Sequence, residues 1–164
     1  MNQKNDAVAA SEEHFENKPS SYDALTHAEM CLLYEESTKT IRFAKYLQWW
    51  TLGSTLLVDG AFLAIAKFVS ADMDYANKLT AMIIALTTAV IATLIIYQFW
   101  QYTELLKIDK ISKGFSAAFR RVRGMKSKLE ANIHRYLLLL FMIFTAVMGS
   151  IVSYYGVLQI AHGR

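Results

Sequence analysis

Residues 47–66 read LQWWTLGSTLLVDGAFLAIA, an apolar run in which Asp59 is the only charge. At about 1.5 Å of rise per residue, a helix of this length matches the roughly 30 Å hydrocarbon core of a bilayer. The stretch therefore reads as a membrane span, continuing to about residue 68. Asp59 is its anomaly: an ionisable group at bilayer depth is costly and is by default a hint of function.

Two further runs extend the pattern. Leu79 to Trp100 and Tyr136 to Ala161 carry no charge at all, which places spans at about 47–68, 79–100 and 136–161. Aromatic side chains gather at their ends: Tyr46, Trp49 and Trp50 on the first, Tyr97, Trp100 and Tyr102 on the second, Tyr136, Tyr154 and Tyr155 on the third. Such amphipathic rings favour the headgroup region. Composition agrees, with 54% hydrophobic and 19% charged residues, less charge than the quarter usual in soluble domains. The fold class expected is an all-α integral membrane protein, three transmembrane helices with cytoplasmic helical extensions. Residues 1–20 read as a disordered, polar tail holding the only proline, Pro19, and residues 21–164 as one membrane domain.

Lysine and arginine set the expected orientation. The connection 101–135 carries Lys107, Lys110, Lys113, Arg120, Arg121, Arg123, Lys126, Lys128 and Arg135 against Glu104, Asp109 and Glu130. The connection between the first two spans holds Lys67 and Lys78, balanced by Asp72 and Asp74. The positive-inside rule puts the long basic connection in the cytoplasm of a bacterial-type inner membrane, with the N-terminus inside and the C-terminus outside. Lys39, Arg42 and Lys45 before the first span agree. No basic n-region leads directly into an apolar core, so a retained anchor is expected rather than a cleaved signal.

Outside the spans, Ser20, Ser21 and Thr26 are candidate N-caps, and Thr26 with Glu29 has capping-box spacing. Met30, Tyr34, Ser37, Ile41 and Ala44 then recur at helical steps. In the connection, Ile108, Ile111, Phe115, Ala118, Val122, Met125 and Leu129 form a seven-residue repeat on a basic helix that continues the second span. Gly114, after Lys110 and Lys113, has the signature of a helix end, with Gly124 as the second choice. The acids Asp23, Glu29, Glu35 and Glu36 of the first helix are expected to face this connection. Cys31, the only cysteine, reads as a half-buried helix residue.

Asp59 has several chemical readings: a proton- or cation-binding group, a pore-lining acid, a docking acid for another subunit, or a neutral acid hydrogen-bonded to a neighbouring helix. Thr55, Thr87, Thr88 and Thr93 are hydroxyl partners at plausible depth, and no Lys, Arg or His lies inside the other two spans. Gly53 and Gly60, seven residues apart, would let another helix approach beside Asp59. Lys110, Lys113, Arg120, Arg121, Arg123, Lys126 and Lys128 are candidates for contact with anionic lipid headgroups or a partner, at about 1 kcal/mol per basic residue near the surface. Nucleic acid is disfavoured, for the basic cluster carries no recognisable motif. The histidines lack metal-ligand spacing, and no phosphate loop, nucleophile elbow or paired catalytic carboxylates occur, so neither cofactor, metal nor enzymatic activity is expected.

The arrangement of a helix leading into two closely spaced spans, then a cytoplasmic helix, resembles small bacterial membrane proteins that act as pore-forming effectors in anti-phage defence. No residue is carried over from that resemblance. The expected function is a non-enzymatic, self-assembling channel or pore-type subunit in contact with anionic lipid. The competing expectation is an accessory or scaffold subunit docked on another membrane protein.

Overall fold

A computed structural model describes residues 17–69, 72–125 and 128–162, with side chains placed for all of these except 128–131. It is an all-α membrane protein, with helices α1 (Ala24–Phe68), α2 (Met73–Ser112), α3 (Ala117–Gly124) and α4 (Lys128–His162). Three of them, α1, α2 and α4, are long and apolar enough to cross a membrane. They pack pairwise into a three-helix bundle. At 45 and 40 residues, α1 and α2 outrun the bilayer. At about 1.5 Å per residue they reach roughly 68 and 60 Å, and their surplus lies together at the basic end of the bundle.

Asp23 caps α1, its carboxylate accepting the Thr26 backbone N–H at 2.9 Å and the Thr26 hydroxyl at 2.8 Å. The cap is therefore one turn before Thr26, and Ser20 and Ser21 serve elsewhere. Asp72 caps α2 in the same way, through the Tyr75 N–H. The helical stripe before the first span holds: Ser37 and Ala44 are buried, with Met30, Tyr34 and Ile41 partly so. Cys31 lies on α1 but is exposed, a correction to the half-buried reading.

The seven-residue repeat does not continue as one helix. Ile108, Ile111 and Phe115 are buried, but α2 stops at Ser112, and Val122 and Met125 on and after α3 are 70% and 85% exposed. Leu129 lies outside the described side chains. The break is at Gly114, where an added Cβ would run into the Tyr22 ring. Both candidate glycines end helices, since α3 closes at Gly124.

Residues 17–22 lie across this break, although 17–20 read as tail; residues 1–16 lie outside the described chain. The Ser20 hydroxyl and the Ser21 N–H donate to the Gly114 carbonyl at 2.9 and 3.0 Å. The Tyr22 hydroxyl donates to Ile111 O at 3.3 Å. Lys18 O and Asn17 Oδ1 accept from the Ala117 and Ala118 N–H groups at 2.9 and 3.0 Å. One extended segment of six residues thus satisfies carbonyls at the end of α2 and donors at the start of α3, groups that helix geometry leaves open.

Rings lock the same junction. Phe115 meets Tyr22, His27, Tyr34 and Phe119 at centroid separations of 6.1, 5.2, 6.2 and 4.8 Å. Arg123 donates to the Tyr34 hydroxyl at 2.9 Å and lies over its ring. The first helix and the basic connection therefore meet through aromatic packing and a tyrosine. Glu35 pairs with Lys39 of its own helix, not with the connection, and Asp23 is spent on the cap.

Glu104 is the buried acid of this region, bonded to Lys107 at 2.7 Å. Burial pushes its carboxyl up, but hydrogen bonds from Lys107 and Ser37 and the Lys107 charge more than offset this and hold it below the usual carboxylate range. A folded-state value below the unfolded 4.5 means its stabilisation is present above about pH 4.5 and fades as pH falls through the folded value. Acidification through that window should therefore loosen α1 from α2 at the basic end. The measure is amide hydrogen exchange at residues 30–40, and Glu104→Gln should flatten the pH dependence. Gly114→Leu should displace Tyr22 and release residues 17–22, at a cost of about 1–3 kcal/mol from overpacking. Limited proteolysis in that segment should quicken, while the spans keep their helical circular dichroism.

Candidate functional site

In the bundle α1 and α4 run parallel and α2 runs opposite, so one layer draws a residue from each. Asp59 sits in such a layer, 2% exposed. The Ser150 hydroxyl of α4 lies 3.2 Å from Asp59 Oδ2. The Thr87 hydroxyl of α2 lies 2.6 Å from Ser150 Oγ and 2.7 Å from Ile83 O. Asp59 Oδ1 is buried with no hydrogen-bond partner.

Each hydroxyl has one proton, and that limits how this chain can be ordered. With a carboxylic acid at Asp59, the acid O–H donates to Ser150, Ser150 donates to Thr87 or to Ala146 O at 3.0 Å, and Thr87 donates to Ile83 O. With a carboxylate, Thr87 donates to Ser150 and Ser150 to Asp59; in both orders Oδ1 is left without a donor. The acid–hydroxyl chain thus joins all three spans and can run in either sense. An aspartate at mid-span costs on the order of 3 kcal/mol on insertion scales, and burying it among hydroxyls removes it from lipid.

Apolar layers close the site on both sides. Towards the far end lie Ala66, Ala76, Leu79, Ile83 and Val157; towards the basic end lie Leu52, Val90, Leu94, Met142 and Ala146. Two glycines of α4 bring α1 this close. A Cβ on Gly149 would come 2.5 Å from Leu56 Cδ2 and 3.6 Å from Asp59 Oδ2, and one on Gly156 would come 2.5 Å from Leu63 Cδ2. Leu56 and Leu63 flank Asp59, each opposite a glycine, so the backbone of α4 is the wall against which the acid is held.

The candidate residues separate accordingly. Of the four threonines, Thr87 joins Asp59 through Ser150. Thr55 is buried but its hydroxyl returns to Thr51 O, while those of Thr88 and Thr93 return to Ile84 O and Ala89 O. Thr88 is exposed to the outside of the bundle and Thr93 partly so. Gly53 and Gly60 are also exposed, and a Cβ at either would meet nothing within 4 Å. Within this chain they do not pack beside Asp59; their face is open to a second molecule only.

Lys110, Lys113, Arg120 and Arg121 are exposed; Lys113 lies 3.7 Å from Asp109, and Arg121 is engaged. Arg123 is held by Tyr34. Lys126 and the Lys128 side chain lie outside the described set.

Sequence reasoning missed Ser150, Gly149 and Gly156. The signal was present, since Gly149 and Gly156 have the seven-residue spacing noted for Gly53 and Gly60, and serine is a weak polar mark within an uncharged span. What spacing alone could not show is which pair faces Asp59.

Fold and site define a class: a multi-pass helical membrane protein with a sealed intramembrane acid. Comparison with known family models, curated proteins and solved structures gives no match that would narrow it further.

Gly149→Leu should wedge α4 from α1 and destabilise the bundle by about 1–3 kcal/mol, whereas Gly53→Ala should change it by less than about 0.5 kcal/mol. Unfolding titrations in mixed micelles with increasing dodecyl sulfate would separate the two. A Gly53 effect as large as that of Gly149 would contradict this placement.

Proposed function

We propose that the protein is a non-enzymatic, self-assembling channel or pore-type subunit of a bacterial-type cytoplasmic membrane, with its N-terminus inside and C-terminus outside. The observation that carries the reading is the spare oxygen of Asp59. An acid serving only to hold helices gains by having both oxygens satisfied; one with a free buried acceptor, tied to hydroxyls that can reverse their donation, is suited to bind a proton or cation. In this reading the apolar layers around it correspond to a closed state, and conduction requires a shift of α4 along the glycine face of Gly149 and Gly156.

Self-assembly is supported by the outer surface. Gly53 and Gly60 give α1 an open small-residue edge. Beyond the span, Leu25 and Leu32, seven residues apart on α1, are 72% and 68% exposed. Orientation rests on the basic residues collected at the end where α1, α2 and α3 meet.

The same sealing favours a second reading, an accessory or scaffold subunit in which the acid–hydroxyl chain only fixes the bundle and the outer face docks on a different membrane protein. The mass and composition of the complex, gently extracted from its native membrane, distinguish them. A pure ring of this chain is the expected result; a different protein in fixed ratio would replace the primary reading by the second. In vesicles, Asp59→Asn keeps size and hydrogen bonding, so it should leave assembly intact while lowering ion or proton flux at least tenfold. Flux equal to wild type would remove Asp59 from any conduction path.

A further inference from the structure

The bundle has a second polar layer, about three to four turns from Asp59 towards the basic end, and its hydrogen bonding is incomplete. Gln48 of α1 and Gln101 of α2, both fully buried, pair with each other at 2.9 Å, and Gln48 also donates to Leu94 O at 3.3 Å. Beside them Arg135 of α4 is only 8% exposed, its guanidinium carbon 5.4 Å from the Tyr102 ring centroid and 5.1 Å from that of Tyr136. Arg135 Nε and Nη2, both Gln98 side-chain polar atoms and Gln101 Oε1 are buried without partners. Gln98 lies one turn before Tyr102 on the same face of α2, which places its amide one turn deeper than the guanidinium.

Lys45, one turn before Gln48 on α1, is the second cation here. Burial pulls its ammonium down from the usual lysine range, and the nearby Arg135 charge adds to this. A half-buried ammonium therefore lies within electrostatic reach of the buried guanidinium. Glu104, the nearest acid along α2, is already bonded to Lys107. A buried cation with a second nearby calls for an anion. The Nε–Nη2 edge of a guanidinium is the fork that grips a phosphate through two parallel hydrogen bonds.

We propose that Arg135, with Lys45 on the neighbouring helix, forms a binding site for the phosphodiester of an anionic phospholipid, with the deeper Gln98 amide N–H donating to an ester carbonyl on the acyl side of that phosphate. The unpartnered donors match such a ligand in kind: Arg135 Nε and Nη2 for the phosphate oxygens, and Gln98 Nε2, one turn deeper, for an ester carbonyl. The depth matches as well. Arg135 and Lys45 stand just before apolar runs and Gln101 just after one, at the level where Tyr46, Trp50 and Tyr136 are exposed and aromatic side chains meet headgroups. The site is separate from Asp59 and holds for either direction of crossing. It differs from general attraction by surface lysines in that one lipid is gripped between helices.

The test is native mass spectrometry of the full chain in a zwitterionic detergent, titrated with phosphatidylglycerol, phosphatidylcholine or inorganic phosphate. Wild type should retain one phosphatidylglycerol per chain and bind it at least tenfold more tightly than phosphatidylcholine. Arg135→Gln should lose that preference while keeping its helical circular dichroism, and Lys45→Gln should weaken it several-fold. If Arg135→Gln fails to fold, Lys45→Gln and the wild-type preference decide. Equal retention of both lipids by wild type, or unchanged retention in the variants, would overturn the site. Thermal stabilisation by inorganic phosphate equal to that by phosphatidylglycerol, with no lipid retained, would overturn the lipid assignment in favour of a soluble phosphate.

Discussion

The carboxyl group of Asp59 has to be satisfied inside hydrocarbon, and the Ser150 hydroxyl of α4, 3.2 Å away, is what reaches it. That contact requires α1 and α4 to approach at backbone distance, which Gly149 and Gly156 allow by leaving room for Leu56 and Leu63 on either side of the acid. It also requires α2 in register, because Thr87 completes the chain at 2.6 Å. Without water as an alternative partner, a slip of one helix past another would strand the carboxyl among leucines and valines. Apolar packing between spans has little preference of its own in lipid, so this polar layer is what selects the register of the bundle.

At the basic end a different constraint operates. Here α2 stops and the chain reverses, so helix-terminal carbonyl and N–H groups need partners. The chain supplies them with residues 17–22, laid across Gly114, and covers the junction with the rings around Phe115. The polar layer of Gln48, Gln98, Gln101 and Arg135 lies between that junction and the sealed acid. The bundle is therefore graded along its length: aromatic and capped at the basic end, incompletely paired at headgroup depth, sealed and apolar around Asp59. Both unsatisfied regions lie on the internal faces of the helices.

Much of this was readable without coordinates. Three apolar runs, their aromatic ends, the helical stripe through Ser37 and Ala44, and the turn at Gly114 all follow from local pattern, because period and composition act on the chain one segment at a time. The seven-residue repeat from Ile108 to Leu129 misled for the same reason. Its period is helical throughout, but Gly114 interrupts the helix, so Val122 and Met125 do not join the buried face of Ile108 and Ile111. The glycines show the limit more sharply. Gly53–Gly60 and Gly149–Gly156 are the same signal, and only one pair touches another helix.

By itself, then, the sequence determined that this chain is helical, that it meets a membrane three times, that its basic surface lies at one end, and that Asp59 is the residue needing an explanation. Those are consequences of hydropathy, charge and period, which neighbouring residues carry whatever the rest of the chain does. Tertiary structure alone decided that the acid looks inward, that Ser150 and Thr87 answer it, and that Arg135 is buried against Tyr102. Those depend on the relative rotation and register of three helices, and an apolar span fits lipid equally well at any rotation until a buried polar group finds its partner.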